Sequence, residues 1–485
     1  MSILDWFPNQ WTPSKLQAEV LIELEQRWNS SQVFVLRLDV ASGKSAVAAC
    51  IAKWVASKRG RSAGARICTP TNVLVNQYAK LFPELSVTKS PGNYVCETRN
   101  TTCGAWSSKQ RCRGCVYNKA RVEAQDAPIS ISTYHMSKAL YSYRSTMIFD
   151  EAHNLGSVVR DMYSPQMFLH QVGAPKDLDA LADWALSLNE DDLEELSKKD
   201  REILTSYIKD LRSDNPLNFY TLGSAFWSGG GDAWGERLVR SEPTELPVLK
   251  MQPIEIFTKP APFWKDKQKL VLMSATVGRP DLYELGLDKV RPVFIEGDPP
   301  ITIDRNPIIK DYVGTFSYAN QDRMLEPLIK KIYEALEKPG KGVIHMTYGM
   351  ADAVRPHLEH ERLIMHGRGD MRQKLKQFMR SDNGVFIASG LYEGVSLDYD
   401  LADWQAISKI VWPSLQDPLQ KHRSKEDPDY YIWSTLKNVI QASGRVCRRP
   451  DDYGETYIWD ASFERLLKEG AHLIPKSFKN RIKKD

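Results

Sequence analysis

The sequence predicts an α/β protein whose working residues sit at the ends of buried parallel strands. Three short apolar runs carry that expectation. VFVLRL at 33–38 runs into DVASGKS and then into AVAACIAKWVA, which has helix-forming composition. MIF at 147–149 ends on the acidic pair of DEAH, and KLVLM at 269–273 ends on Ser-Ala-Thr. Apolar runs of this length, bounded by loop residues, read as strands buried on both faces. A length of 485 residues allows about three domains at roughly 150 residues each.

Composition narrows the class. The chain is 42% hydrophobic and 26% charged, ordinary for a globular protein with several cores. A net charge of +4 leaves nucleic-acid binding to local basic clusters. The opening MSILDWFPNQWTPSKLQ has no basic start followed by an apolar core. No apolar run reaches the about 18 residues that a membrane span needs, so neither secretion nor membrane insertion is expected. Seven cysteines, an odd number, point to a reducing compartment, where clustered cysteines bind metal more often than they pair.

Strand, loop, Gly-Lys-Ser and helix form the context that a phosphate-binding loop requires. Lys44 is expected to reach the β and γ phosphates of ATP, and Ser45 to hold Mg2+. The amides of Ser42, Gly43, Lys44 and Ser45 would cradle phosphate oxygens at the helix start. The motif is imperfect, because Leu38 and Ala41 stand where such loops carry glycine. A chance Gly-Lys-Ser is the alternative, and Asp150 and Glu151 weigh against it. Phosphoryl transfer needs a metal clamp and a positioned nucleophile. Asp150 would complete the magnesium shell, Glu151 would orient the attacking water, and His153 would report nucleotide state to neighbouring motifs.

With both motifs present, the sequence resembles the superfamily 2 helicases, and further fragments follow in that family's order. ICTPTNVLVNQYAKL (67–81) resembles the segment whose Thr69, Thr71 and Gln77 would touch the DNA backbone. Ser274 and Thr276 of KLVLMSAT match the coupling motif. KGVIHMTYGMADAV (341–354) looks like the opening strand and helix of a second RecA-like domain, and GVFIASGLYEGVSL (384–397) brings Gly394 towards the nucleotide. NVIQASGRVCRR (438–449) matches Q-x-x-G-R-x-x-R. In a helical segment Arg445 and Arg448 lie one turn apart on one face. Planar guanidinium groups suit phosphate oxygens, so the pair is expected to act as arginine fingers, with Gln441 helping to position the water. Gln17, within WTPSKLQ, is the expected adenine contact, as in related motors.

The stretch NYVCETRNTTCGAWSSKQRCRGCVYNKA (93–120) holds Cys96, Cys103, Cys112 and Cys115, spaced C-x6-C-x8-C-x2-C. Four thiolates hold either zinc or an iron–sulfur cluster, and spacing alone leans slightly to zinc. The position of the insert adds to this. It lies between Thr-Pro-Thr and DEAH, with ISISTYHMS (129–137) ahead of the DEAH strand, and so resembles the XPD/DinG family of iron–sulfur helicases. That resemblance spans nearly the whole chain and implies a 4Fe–4S cluster. A metal centre would supply folding energy that so short an insert lacks. Arg99, Lys109, Arg111, Arg113, Lys119 and Arg121 make the insert basic, and Tyr94, Trp106 and Tyr117 are candidates for stacking on bases. Solvated loop charges are the plainer alternative.

Between DEAH and Ser-Ala-Thr the chain is far longer than a parallel-sheet connection needs. DLDALADWALSLNEDDLEELSKKDREILTSYIKDL (177–211) is helical and amphipathic in pattern. The resembled family has an arch-like helical domain here. GSAFWSGGGDAWGERLV (223–239) reads as a glycine-rich loop or a returning β-hairpin. The expected fold is two RecA-like parallel-sheet domains with an Fe–S insert and a small helical arch insert. Residues 1–84, 129–160 and 251–300 form the first domain, 85–128 the cluster insert, 161–250 the arch and 301–485 the second domain. The compact inserts suggest the cytoplasm of a prokaryotic or virus-infected cell.

The functional expectation is a monomeric ATP-driven DNA helicase that uses ATP, Mg2+ and a 4Fe–4S cluster on single-stranded DNA and forked duplex. The resemblance implies 5′-to-3′ movement. A single-strand translocase without robust unwinding, a non-catalytic nucleic-acid binding module and an RNA-directed motor are the rivals.

Overall fold

The computed structural model describes residues 1–483 apart from 39–41, 59, 61, 98–100, 104–113, 141–143, 228–243, 257–263, 265–266, 298–302, 390–400 and 448–451. Along the chain, α1 (Lys15–Arg27) leads into β1 (Val33–Arg37), α2 (Lys44–Ala56), β2 (Ala65–Thr69), α3 (Asn72–Leu81) and β3 (Ser86–Val87). A ribbon of β4 (Val95–Cys96) and β5 (Thr101–Thr102) precedes α4 (Val116–Asp126), β6 (Ile129–Thr133), α5 (Tyr134–Ala139), β7 (Thr146–Asp150) and α6 (Leu155–Met162). Then come β8 (Gln166–Phe168), α7 (Leu178–Ser187), α8 (Glu190–Glu194), α9 (Lys198–Leu211), β9 (Asn218–Trp227) and β10 (Thr244–Pro253). The first domain closes with β11 (Lys269–Met273), α10 (Arg279–Glu284) and β12 (Val293–Glu296).

Its sheet runs β12-β1-β11-β7-β2-β6-β3, with every pairing parallel. Helices cover both faces, which is why these strands are apolar throughout rather than alternating. Leu21, Val47, Ile51 and Tyr78 of α1, α2 and α3 pack on one face. Tyr134, Leu155, Val159 and Leu282 of α5, α6 and α10 pack on the other.

The second insertion is not purely helical. β9 and β10 pair antiparallel from Asn218–Pro253 to Trp227–Thr244, and β8 adds a third strand. Leu181, Ile203, Leu204 and Tyr207 of α7 and α9 bury against Met167 and Leu249 of this sheet. A small separate core results.

The second domain contains β13 (Ile308–Gly314), α11 (Gln321–Leu336), β14 (Gly342–Met346), α12 (Tyr348–Val354), β15 (Leu363–Met365), α13 (Met371–Arg380), β16 (Val385–Ser389) and β17 (Trp404–Ile407). It ends with α14 (Pro418–Glu426), α15 (Pro428–Ser443), β18 (Glu455–Asp460), α16 (Ser462–Glu469) and α17 (Lys476–Arg481). The strand order is β13-β18-β17-β14-β16-β15, again all parallel. The strand expected to open this domain, β14, is central, because β13 and α11 precede it. Among the described residues no helix is long and apolar enough to cross a membrane.

Gly342, at the start of β14, gives a specific test of this packing. A Cβ there would lie 2.1 Å from Cζ2 of the buried Trp404. Gly342→Ala is expected to destabilise the protein by about 1–3 kcal/mol through overpacking. Urea denaturation reads this directly, and an unchanged midpoint would show that the indole has room to yield.

Candidate active site

α2 begins behind Gly43, whose φ of +69° lies in the left-handed region that glycine enters without strain. Gln17 of α1 presses on this loop. Its Nε2 donates to the Ser42 carbonyl at 2.9 Å, and its Oε1 accepts from the Ser14 N–H at 2.8 Å. A Cβ on residue 43 would fall 2.3 Å from that Nε2. Both ends of the Gln17 amide are therefore engaged by the protein, and an adenine contact would compete with them. α2 has no side-chain cap, so its first turn offers amide donors and the positive end of the helix dipole to an anion.

β7 delivers Asp150 and Glu151 opposite that helix start. Lys44 Nζ lies 3.4 Å from Glu151 Oε1. Asp150 is buried, and its Oδ2 accepts from the Tyr78 hydroxyl at 2.9 Å. Tyr78, which lies in the 67–81 segment beside Gln77, also hydrogen-bonds with Ser45. Burial pushes the Asp150 carboxyl up to about 6, and the neighbouring Glu151 adds to the rise. Burial would raise Glu151 as well, but the Lys44 ammonium and then His153 outweigh it and hold Glu151 below its ordinary value. Glu151 itself adopts φ +54°, strain of about 1–2 kcal/mol for a residue with a side chain. Such strain is a recurring mark of functional turns.

Burial lowers His153 to about 4, so its imidazole is neutral near pH 7. Asn154 Nδ2 donates to Nε2 at 2.9 Å, which leaves the proton on Nδ1, facing Ser274 Oγ at 2.8 Å. Ser274 Oγ then accepts from the Thr276 N–H at 3.2 Å, and Thr276 Oγ1 accepts from Gln441 Nε2 of the second domain at 3.2 Å. Hydrogen bonds thus run from the acidic turn across the domain boundary.

Arg445 lies within electrostatic reach of that turn, since its charge acts on both Glu151 and His153. The expectation that Arg445 sits within a helix does not hold. α15 stops at Ser443, where the Gly444 N–H closes on the Ile440 carbonyl at 3.2 Å. Gln405 and Arg481 hold the last carbonyls, those of Ala442 and Ser443. Arg445 occupies the turn beyond, and Arg448 and Gly394 lie outside the described residues.

Two carboxylates on α10 tie the domains together, and no sequence motif flagged them. Asp281 Oδ1 pairs with Lys437 Nζ at 2.6 Å, and its Oδ2 accepts from Trp433 Nε1 at 2.6 Å. Glu284 Oε1 bridges Arg160 at 2.8 Å and Arg423 at 2.6 Å. Burial works against the charged Glu284, but Arg423 and then Arg160 bring its carboxyl down to about 2. A cavity of about 910 Å3 opens beside this bridge, lined by Arg37, Tyr283, His422 and Lys476 among others, and includes none of Lys44, Asp150, Glu151 or Arg445.

The remaining expected residues divide. Thr71 and Gln77 are exposed on α3. Thr69 is fully buried, and its hydroxyl donates to the Thr71 carbonyl at 3.1 Å. It shapes the turn rather than facing a strand of DNA. Tyr94 and Tyr117 pack on each other with ring centroids 5.6 Å apart. Cys112, Arg111, Arg113, Arg99, Trp106 and Lys109 lie outside the described residues. Among the described residues no group of three or more His, Cys, Asp or Glu side chains is arranged to hold a metal ion. The thiols of Cys103 and Cys115 are hydrogen-bonded, and burial, that bond and the charge of Cys96 together raise Cys103.

Solved structures share this fold. The structure of S. tokodaii Xpd4 superposes with a TM-score of 0.59 at 14% identity, covering 97% of this chain and 99% of that one. An XPD helicase gives 0.61 at 13% identity, covering 96% and 99%. At these identities the likeness shows the fold alone. The family models add the sequence evidence: DEAD_2 matches residues 15–172 and the helicase C-terminal domain matches 330–481. One model falls on each parallel-sheet domain. The chain belongs to the XPD/DinG-type superfamily 2 helicases. It is an ATP-dependent helicase, and nucleic acid is its substrate class. No curated protein sequence matches the chain.

In this helicase the Glu284 bridge gives two measurable expectations. Glu284→Gln leaves Arg160 and Arg423 side by side without a countercharge, a loss of about 3–5 kcal/mol for a broken buried pair. Chemical denaturation at neutral pH measures it. The folded value of about 2 lies below the ordinary 4.5, so the stabilisation is complete above about pH 4.5 and is lost as pH falls towards 2. The Glu284→Gln variant should show a shallower loss over that window, and an identical acid profile would contradict the assignment.

Proposed function

We propose that this helicase hydrolyses ATP between its two parallel-sheet domains to travel 5′ to 3′ along single-stranded DNA and separate duplexes, as a monomer. The observation that carries this reading is that Lys44, Asp150 and Glu151 of one domain come together at the ends of the strands, with Glu151 within the electrostatic reach of Arg445 of the other. Lys44 pairs with Glu151, and the β and γ phosphates of ATP would take over Lys44. That exchange releases the Glu151 carboxylate to accept a proton from the attacking water. Ser45 and Asp150 are suited to hold Mg2+, which when bound neutralises phosphate charge. Arg445, with Arg448, supplies guanidinium groups for the charge that builds on the γ phosphate. The His153–Ser274–Thr276–Gln441 bonds provide the route by which cleft closure and the acidic turn sense each other.

Exposed Thr71 and Gln77 on α3, with Lys119 and Arg121 on α4, are the proposed strand contacts, joined by Arg111 and Arg113. Cys96, Cys103, Cys112 and Cys115 are proposed to bind a 4Fe–4S cluster. The support is the hydrogen bond between the Cys103 and Cys115 thiols and the charge influence of Cys96 on Cys103, together with the family membership. A cluster would staple an insert whose described secondary structure before α4 is little more than the β4–β5 ribbon.

The deciding experiment is strand displacement on duplexes carrying 5′ or 3′ single-stranded tails. Displacement only from 5′ tails is expected. ATP turnover without displacement would make the protein a translocase, and stronger stimulation by RNA than by DNA would redirect the substrate. Glu151→Gln should lower kcat by about 10²–10⁴, the usual weight of a general base, and Lys44→Ala should do no better. Equal slow turnover by wild type and Lys44→Ala would end the motor reading. Protein purified without oxygen is expected to be brown, with broad absorbance near about 400 nm from cysteine-ligated iron. A colourless, zinc-loaded protein would overturn the cluster.

A further inference from the structure

Trp433, Lys437, Gln441 and Arg445 recur at intervals of four. Within α15 that spacing keeps Trp433, Lys437 and Gln441 on one stripe, and the stripe faces the first domain. Gln441 reaches Thr276, and the charge of Arg445 acts on Glu151. The other two, Trp433 and Lys437, converge on the single carboxylate of Asp281.

Asp281 is built to receive them. It is 3% exposed, and its Oδ2 also accepts from the Gly278 N–H at 2.8 Å. Gly278 clears the way for the indole, since a Cβ there would lie 2.6 Å from Trp433 Cε2. Thr276 and Gly278 belong to the short link between β11 and α10, and Asp281 follows in the first turn of α10. One stretch of the first domain therefore grips α15 at three levels, roughly three, two and one turns before Arg445.

We propose that Asp281 is a positioning residue for ATP hydrolysis. Its bonds to Lys437 and Trp433 set the axial register of α15 and thereby deliver Gln441 and Arg445 to the phosphates. The inference rests on the hydrolytic reading of the cleft given above. A helix advances about 1.5 Å per residue, so a fixed point at Lys437 fixes the height of Gln441 and of the helix end at Ser443, from which the turn carrying Arg445 departs. A buried ion pair suits this task better than apolar packing does. It adds little net stability, but it tolerates no sliding, because a shifted helix leaves charges buried without partners.

The test measures DNA-stimulated ATP hydrolysis and thermal unfolding for Asp281→Asn, Lys437→Met, the double variant and Trp433→Phe. Misplacement by about 1 Å lowers catalysis by up to roughly 100-fold. The single variants at 281 and 437 should lose about 10- to 100-fold in kcat while KM for ATP stays within about threefold. The double variant should be no worse than the poorer single one, because both remove the same constraint. Trp433→Phe, which removes one N–H, should show a smaller fall in kcat alone. Wild-type kcat in a folded Asp281→Asn, a rise in KM at constant kcat, or additive losses in the double variant would overturn the proposal. If Asp281→Asn does not fold, Lys437→Met decides on the same criteria. Arg445→Ala, run in parallel, separates the two readings. If it keeps full activity, the hydrolytic assignment itself fails. If it is inactive while Asp281→Asn is normal, only the register proposal falls.

Discussion

β1, β11 and β7 are parallel neighbours, with Leu36 opposite Met273 and Met273 opposite Asp150. The rest of the site depends on that register. Parallel strands are joined by crossovers rather than tight hairpins, so every strand here leaves the sheet at the same edge. The phosphate loop, the Ser-Ala-Thr turn and the acidic turn are therefore side by side although His153 and Ser274 are 121 positions apart. The two insertions exploit the same rule. One lengthens the crossover from β3 to β6 and the other the crossover from β7 to β11, and in both cases the strands still pair directly. A crossover can grow into a domain while its ends stay fixed.

What crosses between the two sheets is charge. Asp281 and Glu284 of the first domain meet Lys437 and Arg423 of the second, and Glu151 lies within the field of Arg445. Apolar interfaces slide at modest cost because one methyl replaces another. Buried carboxylates and ammonium groups behave differently, since each position of the interface either satisfies them or leaves them desolvated and unpaired. The cleft is therefore biased towards discrete arrangements rather than a continuum, which suits a machine that must commit and release in steps.

The chemistry-bearing ends of strands were legible in the sequence because their signals are local. Gly-Lys-Ser before a helix, two acids closing an apolar run and Ser-Ala-Thr after another all specify backbone context within a few residues. What the sequence did not reveal depends on distance in three dimensions. Thr69 belongs to an apparent surface motif, yet its hydroxyl folds inward onto the Thr71 carbonyl. Arg445 fits a helical spacing, but Gly444 ends the helix first. The second insertion reads as mainly helical from its amphipathic stretch, and the returning hairpin is only one of two readings of 223–239, because β9 and β10, which run from Asn218 to Pro253, lack a strict alternation. Nothing singles out Tyr78 within its motif segment, and Asp281 and Glu284 carry no motif at all. The four-residue recurrence from Trp433 to Arg445 was present in the sequence, but nothing local says that a carboxylate more than 150 positions away would receive it.

Phe219, near the root of β9, packs edge-on against His422 of the second domain, with ring centroids 5.5 Å apart. On the other strand of that hairpin, the carbonyl of Pro253 accepts from Arg160 of the first domain. His422 and Arg423 are consecutive, so the residue that touches the insertion adjoins the one that bridges to Glu284. The hairpin is therefore strung between both domains like the coupler of a linkage. Any stroke that parts Arg423 from Glu284 also loads the hairpin, and a tug on the hairpin reaches back to the same hinge.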